Sequence, residues 1–437
     1  MILGIIGDDF TGSSDIANNL KKSGMQVSMF AGVPSFKNKA SLTNADAAVI
    51  ALKTRTIPIN EAVSESLKAL EWLKNAGCSQ FIFKYCSTFD STKEGNIGPV
   101  TDAIMEELNV DFTIACPSFP DAGRTVFYGH MFVNGKPLNE SGMEKHPLTP
   151  MIDHNLVRWL DHQTKHSVGL IDYKTINNGS QSVKDKINKL KIEGCKYAIV
   201  DTTNNEDFDI ICNGVKDLQF LTGGSGIALG LPKIYKKDGL LSNEEFQIPE
   251  NTTNAVILSG SCSSATLSQI EVYKKDNPSY FISADEVMNN ENLIVDVIKW
   301  IKNNETLSPL IYSSADPKIV KEKQIQYGQE ILANKIESFF ENLSNKLLNH
   351  TFGIFISAGG ETSGAVVNGL GLQEFKIGNE IAHGVPALWS PNSNCNKPVS
   401  VTLKSGNFGQ ADFFKSCLLY TSPSPRDATL SRMPSSA

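Results

Sequence analysis

The chain has 437 residues, with 40 Lys and Arg against 47 Asp and Glu, a formal net charge of −7. That length supports two large domains or three smaller ones, and 41% apolar with 20% charged residues is the balance of a soluble globular protein. A negative surface argues against nucleic acid as a partner, no run approaches the roughly 18 apolar residues of a membrane helix, and MILGIIGDDF lacks the basic region of a signal peptide.

Short apolar runs at Ile2–Ile6, Ala47–Leu52, Phe81–Phe83, Phe112–Ala115, Val168–Ile171 and Tyr197–Val200 predict buried strands. Between them, amphipathic patterns predict helices over Asp15–Lys22, Glu61–Asn75, Val100–Leu108 and Ser182–Glu193. Strands alternating with helices of this length imply parallel sheets covered on both faces. Residues 233–253, with YKKDG, NEE and PENTTN, predict a linker between an N-terminal domain (1–232) and a C-terminal domain (254–416). In the second half, predicted strands Ala255–Leu258, Gly353–Ile356 and Val399–Leu403 each run into a Gly/Ser-rich turn: SGSCSSA, SAGGETSGAVV and KSGNFGQADFF. The expected fold is α/β, two domains, each a largely parallel sheet flanked by helices.

Eight scattered cysteines without a CxxC pair read as reduced thiols, which places the protein in the cytoplasm. Arginine occurs five times among 35 lysines, and two of the five, Arg426 and Arg432, lie in the Ser/Pro-rich end CLLYTSPSPRDATLSRMPSSA. That segment has no lysine and no periodicity, so residues 417–437 are expected to be a non-native tail outside the fold.

The candidate chemistry sits at strand ends. Asp8 and Asp9 follow the first strand, where open α/β sheets bind ligands, and either carboxylate suits a hydroxyl proton or a metal. Paired aspartates ahead of a helix are also good caps, so spacing leaves both roles open. Arg55 and Arg124 follow other strands and are placed to clamp a carboxylate or phosphate bidentately. Arg158, within a helical pattern, reads as a structural ion-pair residue. FKYCSTFDST adds Lys84, Ser87 and Asp90, and with Asp8, Asp9 and Arg55 it suggests a pocket for a small polyhydroxylated acid. Three Gly/Ser turns opening helices could cradle the phosphates of a nucleotide. No P-loop is present, because Gly129-HMFVN-Gly135-Lys136 has Pro137 where Ser or Thr is required.

Taken together, IIGDDFTGSSDIA, KYCSTFDST, PSFPDAGRT, HPLTPM, TGGSG, LSGSCS, AGGETSGAVV, IGNEIAHGVP and LKSGNFG resemble the four-carbon acid sugar kinase family, in the family's order and over residues 1–416. The resemblance implies an N-terminal domain for the acid sugar, a C-terminal domain for ATP, and transfer of the γ-phosphate to the 4-hydroxyl of a tetronate. YCSTFDSTKEGNIGPVTDA and ESGMEKHPLTPM look most like the members acting on 3-oxo-tetronate, with D-threonate and D-erythronate kinases as near alternatives. It further implies ATP contacts at Ser259, Gly359, Gly360, Glu361, Thr362 and Gly406, and Mg²⁺ with ATP, with no metal ligand assigned. Asp9 is the favoured base and Asp8 the favoured cap of a helix starting near Ser13; Arg55 is assigned to the substrate carboxylate, with Lys84, Ser87, Asp90 and Arg124 around it. The expected partners are a sugar acid and ATP, with homo-oligomerisation open. A non-catalytic sensor of the same two ligands is the rival from another class.

Overall fold

The structure, a computed structural model, describes residues 1–34, 45–146, 148–242, 249, 251 and 253–421. The chain divides into two compact units at Phe246/Gln247.

The N-terminal unit opens with β1 (Leu3–Gly7), buried at every position as a strand covered on both faces must be. It continues through α1 (Phe10–Lys22), β2 (Val27–Ala31), β3 (Ala47–Ala51), α2 (Ile59–Asn75), β4 (Gln80–Lys84), α3 (Ile97–Leu108) and β5 (Thr113–Cys116). A small antiparallel sheet follows, made of β6 (Arg124–Phe127), β7 (His130–Val133) and β8 (Lys136–Pro137). Next come α4 (Leu156–Asp161), β9 (Ser167–Ile171), α5 (Tyr173–Asn177), α6 (Ser180–Ile192), β10 (Cys195–Val200), α7 (Asp207–Val215), β11 (Phe220–Gly223) and α8 (Leu231–Lys237). The main sheet runs β2-β3-β1-β4-β11-β5-β10-β9 and is parallel at each pairing. Helix α2 shows why the pattern is legible. It buries Ala62, Ser66, Ala69, Leu70 and Leu73 at three- and four-residue spacing and turns Glu65, Lys68, Glu71 and Lys74 outward.

The C-terminal unit comprises β12 (Asn254–Ser259), α9 (Ser264–Tyr273), β13 (Ser279–Phe281), α10 (Ala284–Asn289), α11 (Leu293–Lys302), β14 (Leu310–Tyr312), α12 (Pro317–Tyr327) and α13 (Gln329–Leu347). It then runs through β15 (Phe352–Ala358), α14 (Gly360–Leu370), β16 (Glu374–Ala382), β17 (Val385–Ser390), β18 (Val399–Lys404) and α15 (Phe413–Thr421). Its strands order β13-β14-β12-β15-β18-β17-β16. The first five are parallel, while β17 is antiparallel to both β18 and β16. Both units are therefore α/β with largely parallel sheets. Among the described residues no helix is long and apolar enough to cross a membrane, and all eight cysteines are free.

Three boundaries differ from the sequence reading. Helix α1 starts at Phe10, not near Ser13. Helix α8 occupies the first residues assigned to the linker, because Leu231, Pro232, Ile234 and Tyr235 form a buried face; residues 243–248, 250 and 252 of that linker lie outside the described residues. The fold also does not stop at Ser416. Phe413, Phe414 and Cys417 share one face of α15, and Cys417 is fully buried in a cluster with Ile257, Ile270 and Tyr273. The remainder of the expected tail, 422–437, lies outside the described residues.

Burial of Cys417 makes a direct prediction. A chain ended after Ser416 loses one buried side chain and the last turn of α15. Relative to a chain ended after Thr421, it should lose about 1–2 kcal/mol and melt some 2–6 °C lower, as read by differential scanning calorimetry.

Candidate active site

Strand β1 lies between β3 and β4, in register at Gly7↔Ala51 and Gly7↔Lys84, so the residues after these three strands meet at one edge of the sheet. Asp8 and Asp9 follow β1, Arg55 follows β3, Lys84 ends β4, and Asp90 lies in the loop beyond it. The main chain holds them together, with Asp8 N–H donating to the Lys84 carbonyl at 3.0 Å and Thr54 N–H to the Asp8 carbonyl at 2.9 Å.

Arg55 donates through Nε and Nη2 to the two carboxylate oxygens of Asp8, each at 2.8 Å. Its Nη2 also lies 2.9 Å from Asp9 Oδ1, and Nη1 lies 4.0 Å from Asp90 Oδ2. The Lys84 ammonium is buried, and its ion-pair partner is Asp9 at 3.8 Å. Side-chain exposure is 5% for Asp8 and 27% for Asp9, so solvent and small molecules reach Asp9 and not Asp8. Burial pushes the Asp8 carboxyl above its ordinary value against the pull of Arg55. Burial acts on Asp9 as well, but Arg55, Lys84, the Thr11 hydroxyl and the Gly12 N–H outweigh it and hold that carboxyl below its ordinary value. Asp90 is aimed by its neighbours. Phe89 adopts a left-handed backbone (φ 58°) with its ring buried edge-on to Tyr85, and the Thr88 hydroxyl donates to Asp90 Oδ1 at 2.6 Å.

Two expectations change here. Asp9, not Asp8, caps α1, accepting from Gly12 N–H at 3.1 Å and from Thr11 Oγ1 at 2.9 Å. A capping carboxylate must come from the residue just before the first helical turn, and the helix starts at Phe10. The two-pronged face of Arg55 is not held open for a substrate, because Asp8 occupies it. Ser87 is half-buried on the loop after β4, with its Cα near Gly224 in the turn after β11. Among the described residues no ion pair joins Arg124 to the acidic cluster. Arg124 opens β6 in the small sheet, donates to the Ala122 carbonyl, and has a buried Nε without a hydrogen-bond partner. Arg158 makes a two-pronged pair with Asp153 at 2.7 and 2.8 Å on the surface.

In the C-terminal unit the three Gly/Ser junctions converge. Ser259 ends β12, Ala358 ends β15 and Lys404 ends β18, and the pairing sets these three side by side, Ser259↔Ala358↔Lys404. Gly260 and Ser261 N–H both donate to the Ala358 carbonyl, at 3.1 and 3.2 Å, and Gly359 N–H donates to the Lys404 carbonyl at 2.8 Å. Gly359 caps α14 with φ 120°, a conformation that L side chains avoid. A Cβ on Gly406 would stand 2.5 Å from Ser261 Oγ, and one on Gly260 would strike Thr362 Oγ1, whereas one on Gly360 would meet no protein atom within 4 Å. The result is a pocket walled by Ser and Thr hydroxyls and open over Gly360, where the first turn of α14 offers main-chain N–H groups that have no partner inside the helix. This is the geometry that suits an anionic phosphate. Glu361 is exposed on the first turn of α14, while Thr362 is buried against the floor.

The sequence reading missed three participants: Ser314, whose hydroxyl lies 3.0 Å from Ser259 Oγ, and Thr266 and Lys404 beside Gly406. Ser314 lies outside every glycine-rich string and Thr266 just beyond one, while Lys404 opens KSGNFG, where a lysine closing an apolar strand carries no signal of its own. Among the described residues no three His, Cys, Asp or Glu side chains gather as a metal site. In the N-terminal cluster, Arg55→Lys keeps the charge and loses the fork that serves both oxygens of Asp8. The expected cost is about 1–3 kcal/mol, measured by urea unfolding of the intact chain.

Comparison with known proteins bears on both units. The sugar-binding N-terminal domain family matches residues 3–231 and the nucleotide-binding C-terminal domain family matches residues 256–414. A Pseudomonas savastanoi protein named 3-oxo-tetronate kinase is 45% identical over 420 residues, covering 95% of this chain and 96% of its own length. A Haemophilus influenzae protein of the same name is 42% identical over 416 residues, covering 95% and 98%. The crystal structure of a Haemophilus influenzae protein superposes with a TM-score of 0.76 at 41% identity, covering 95% of this chain and 98% of that one. With both halves matched along their length, the chain belongs to the four-carbon acid sugar kinase family, a sugar-binding domain followed by a nucleotide-binding domain.

Proposed function

We propose that the chain transfers the γ-phosphate of ATP to the 4-hydroxyl of 3-oxo-tetronate, giving 3-oxo-tetronate 4-phosphate. The observation that carries this reading is the Asp8–Asp9–Arg55–Lys84 cluster: one accessible carboxylate beside two cations, in the domain whose family binds sugars. The choice of 3-oxo-tetronate over D-threonate or D-erythronate rests on the names of the relatives that match along the whole chain. We assign it to the cytoplasm, where ATP is supplied and free thiols persist.

Each residue has a distinct task in this reading. Asp9 orients the sugar hydroxyl and accepts its proton. Its carboxyl is held below the ordinary value, so it stands ionised at neutral pH, and in a loose phosphoryl-transfer transition state positioning counts for more than basicity. Asp8 holds Arg55, and Arg55 in turn fixes Asp9. Lys84, as little exposed as Asp8, holds Asp9 from behind, and the edge of Arg55 that Asp8 leaves open faces the substrate carboxylate, with Ser87 and Asp90 around the sugar. In the C-terminal domain, the main-chain N–H groups that open α14, from Gly360 to Thr362, hold the phosphates, with Ser259, Gly359 and Gly406 shaping the turns around them. ATP brings the phosphoryl group, and Mg²⁺, which characteristically binds phosphates with one or two carboxylates and several waters, would find Glu361 at the same cradle.

The defining experiment follows ADP release with 3-oxo-tetronate, D-threonate and D-erythronate, and identifies the product by mass. Turnover fastest with 3-oxo-tetronate supports the assignment, and a preference for either other acid moves it within the family. Asp9→Asn should lower kcat about 100-fold or more with little change in melting temperature, because Asn caps a helix as well as Asp. Asp8→Asn should act mainly on stability by releasing Arg55, and a kcat loss confined to that variant would exchange the two roles. Lys84→Met removes a cation that steadies the Asp9 carboxylate and should lower kcat about tenfold or more, leaving KM for ATP little changed. Gly360→Val adds a side chain where no protein atom stands within 4 Å, so the variant should fold, bind the sugar acid normally and bind ATP weakly, as isothermal titration would show.

A further inference from the structure

Lys404 is completely buried at the end of β18, and no carboxylate pairs with it among the described residues. Its Nζ donates to Gly406 O at 2.8 Å, Thr266 Oγ1 at 2.9 Å and Ser405 O at 3.0 Å. Three acceptors are what an ammonium satisfies and one more than a neutral amine can serve. The surroundings otherwise offer an ammonium little. The face of the Phe413 ring lies 5.8 Å away, α15 presents the Cys417 thiol, itself pushed up by burial, α9 presents the Ser263 and Thr266 hydroxyls, and β15 presents main chain. An ammonium taken out of water without a counter-ion is costly.

The same residue touches all three junctions of the cradle. Its carbonyl accepts from Gly359 N–H at 2.8 Å. Its ammonium meets the Gly406 carbonyl, which also accepts from Ser263 Oγ at 2.5 Å and Thr266 Oγ1 at 2.9 Å, both at the start of α9. With the Gly406 carbonyl drawn inward by three donors, its oxygen is kept out of a space meant for an anion.

We propose that Lys404 is the positioning residue of the nucleotide cradle: it locks the Gly406 turn to the α9 and α14 junctions, and its ammonium is the buried charge that the phosphates complete. The inference rests on the reading of this cradle as the ATP site. Burial draws the ammonium of the free protein down to about 7, and a phosphate anion nearby favours the charged form. The sign follows: above that pH, nucleotide binding takes up a proton, and affinity weakens as pH rises.

Isothermal titration of the full chain with Mg·ADP and Mg·ATP at about pH 8.5, where phosphates are fully ionised, in buffers of different ionisation heat, tests this. The parent chain should take up close to one proton per nucleotide. Lys404→Met should take up none, bind nucleotide about tenfold or more weakly at about pH 7, keep its affinity for 3-oxo-tetronate, and melt no lower than the parent. Parental nucleotide affinity in folded Lys404→Met, or binding without proton uptake by the parent, overturns the proposal. If Lys404→Met fails to fold, Thr266→Val removes one acceptor of the ammonium and should move the fall in affinity to lower pH; an unmoved profile also overturns it. A parent chain that binds no nucleotide would instead strike the kinase reading, and the role of the lysine with it.

Discussion

Parallel pairing brings the carboxyl ends of neighbouring strands to one edge of a sheet, and the helices that follow present N–H groups with no partner inside the helix. In each unit of this chain the candidate chemistry is laid out along one such row. Gly7, Ala51 and Lys84 are in register in the N-terminal sheet, and Ser259, Ala358 and Lys404 in the C-terminal sheet. Asp8, Asp9 and Arg55, and the turns at Gly260, Gly359 and Gly406, are the next residues along. The register of the strands decides which side chains can meet, and the cores beneath hold that register by burying Ile6, Ile50 and Phe83 in one unit and Ile257 and Ile356 in the other.

The two edges handle buried charge in opposite ways. The N-terminal edge sets carboxylates against cations within one cluster, Asp8 and Asp9 around Arg55 with Lys84 behind, so that most of the charge is compensated before any ligand arrives. Asp9 is the exception that solvent can reach. The C-terminal edge leaves a lysine with hydroxyl and carbonyl partners and, among the described residues, no carboxylate. A saturated acidic cluster suits a polyhydroxylated substrate that is ordered by hydrogen bonds. An uncompensated positive cradle suits a polyphosphate. The difference is electrostatic before it is a matter of shape.

Asp9 shows how one residue serves both fold and site. Its Oδ1 caps α1, an interaction typically worth about 1 kcal/mol, and the same oxygen lies 2.9 Å from Arg55. The cap fixes the rotamer, and the fixed rotamer leaves the carboxylate partly open to solvent. The Ser263 cap of α9 works similarly, since its hydroxyl accepts from Thr266 N–H and donates to the Gly406 carbonyl.

Local composition and periodicity in the sequence determined most elements, the two-unit α/β plan and the glycine-rich junctions. Those properties reside in neighbouring residues, such as the GIIGDD strand end or the three- and four-residue spacing along α2. The ordered motifs announced the family, a sugar-binding domain followed by a nucleotide-binding domain. Only the tertiary structure decided that Asp9 and not Asp8 is the cap, that Arg55 is engaged by Asp8, that Cys417 belongs to the core, and that Lys404 ties three turns together. Each of these depends on a contact between segments far apart in the chain, or on the single residue at which a helix begins. Strand register and helix phase set such contacts, and neither is written in the identity of the residues that make them.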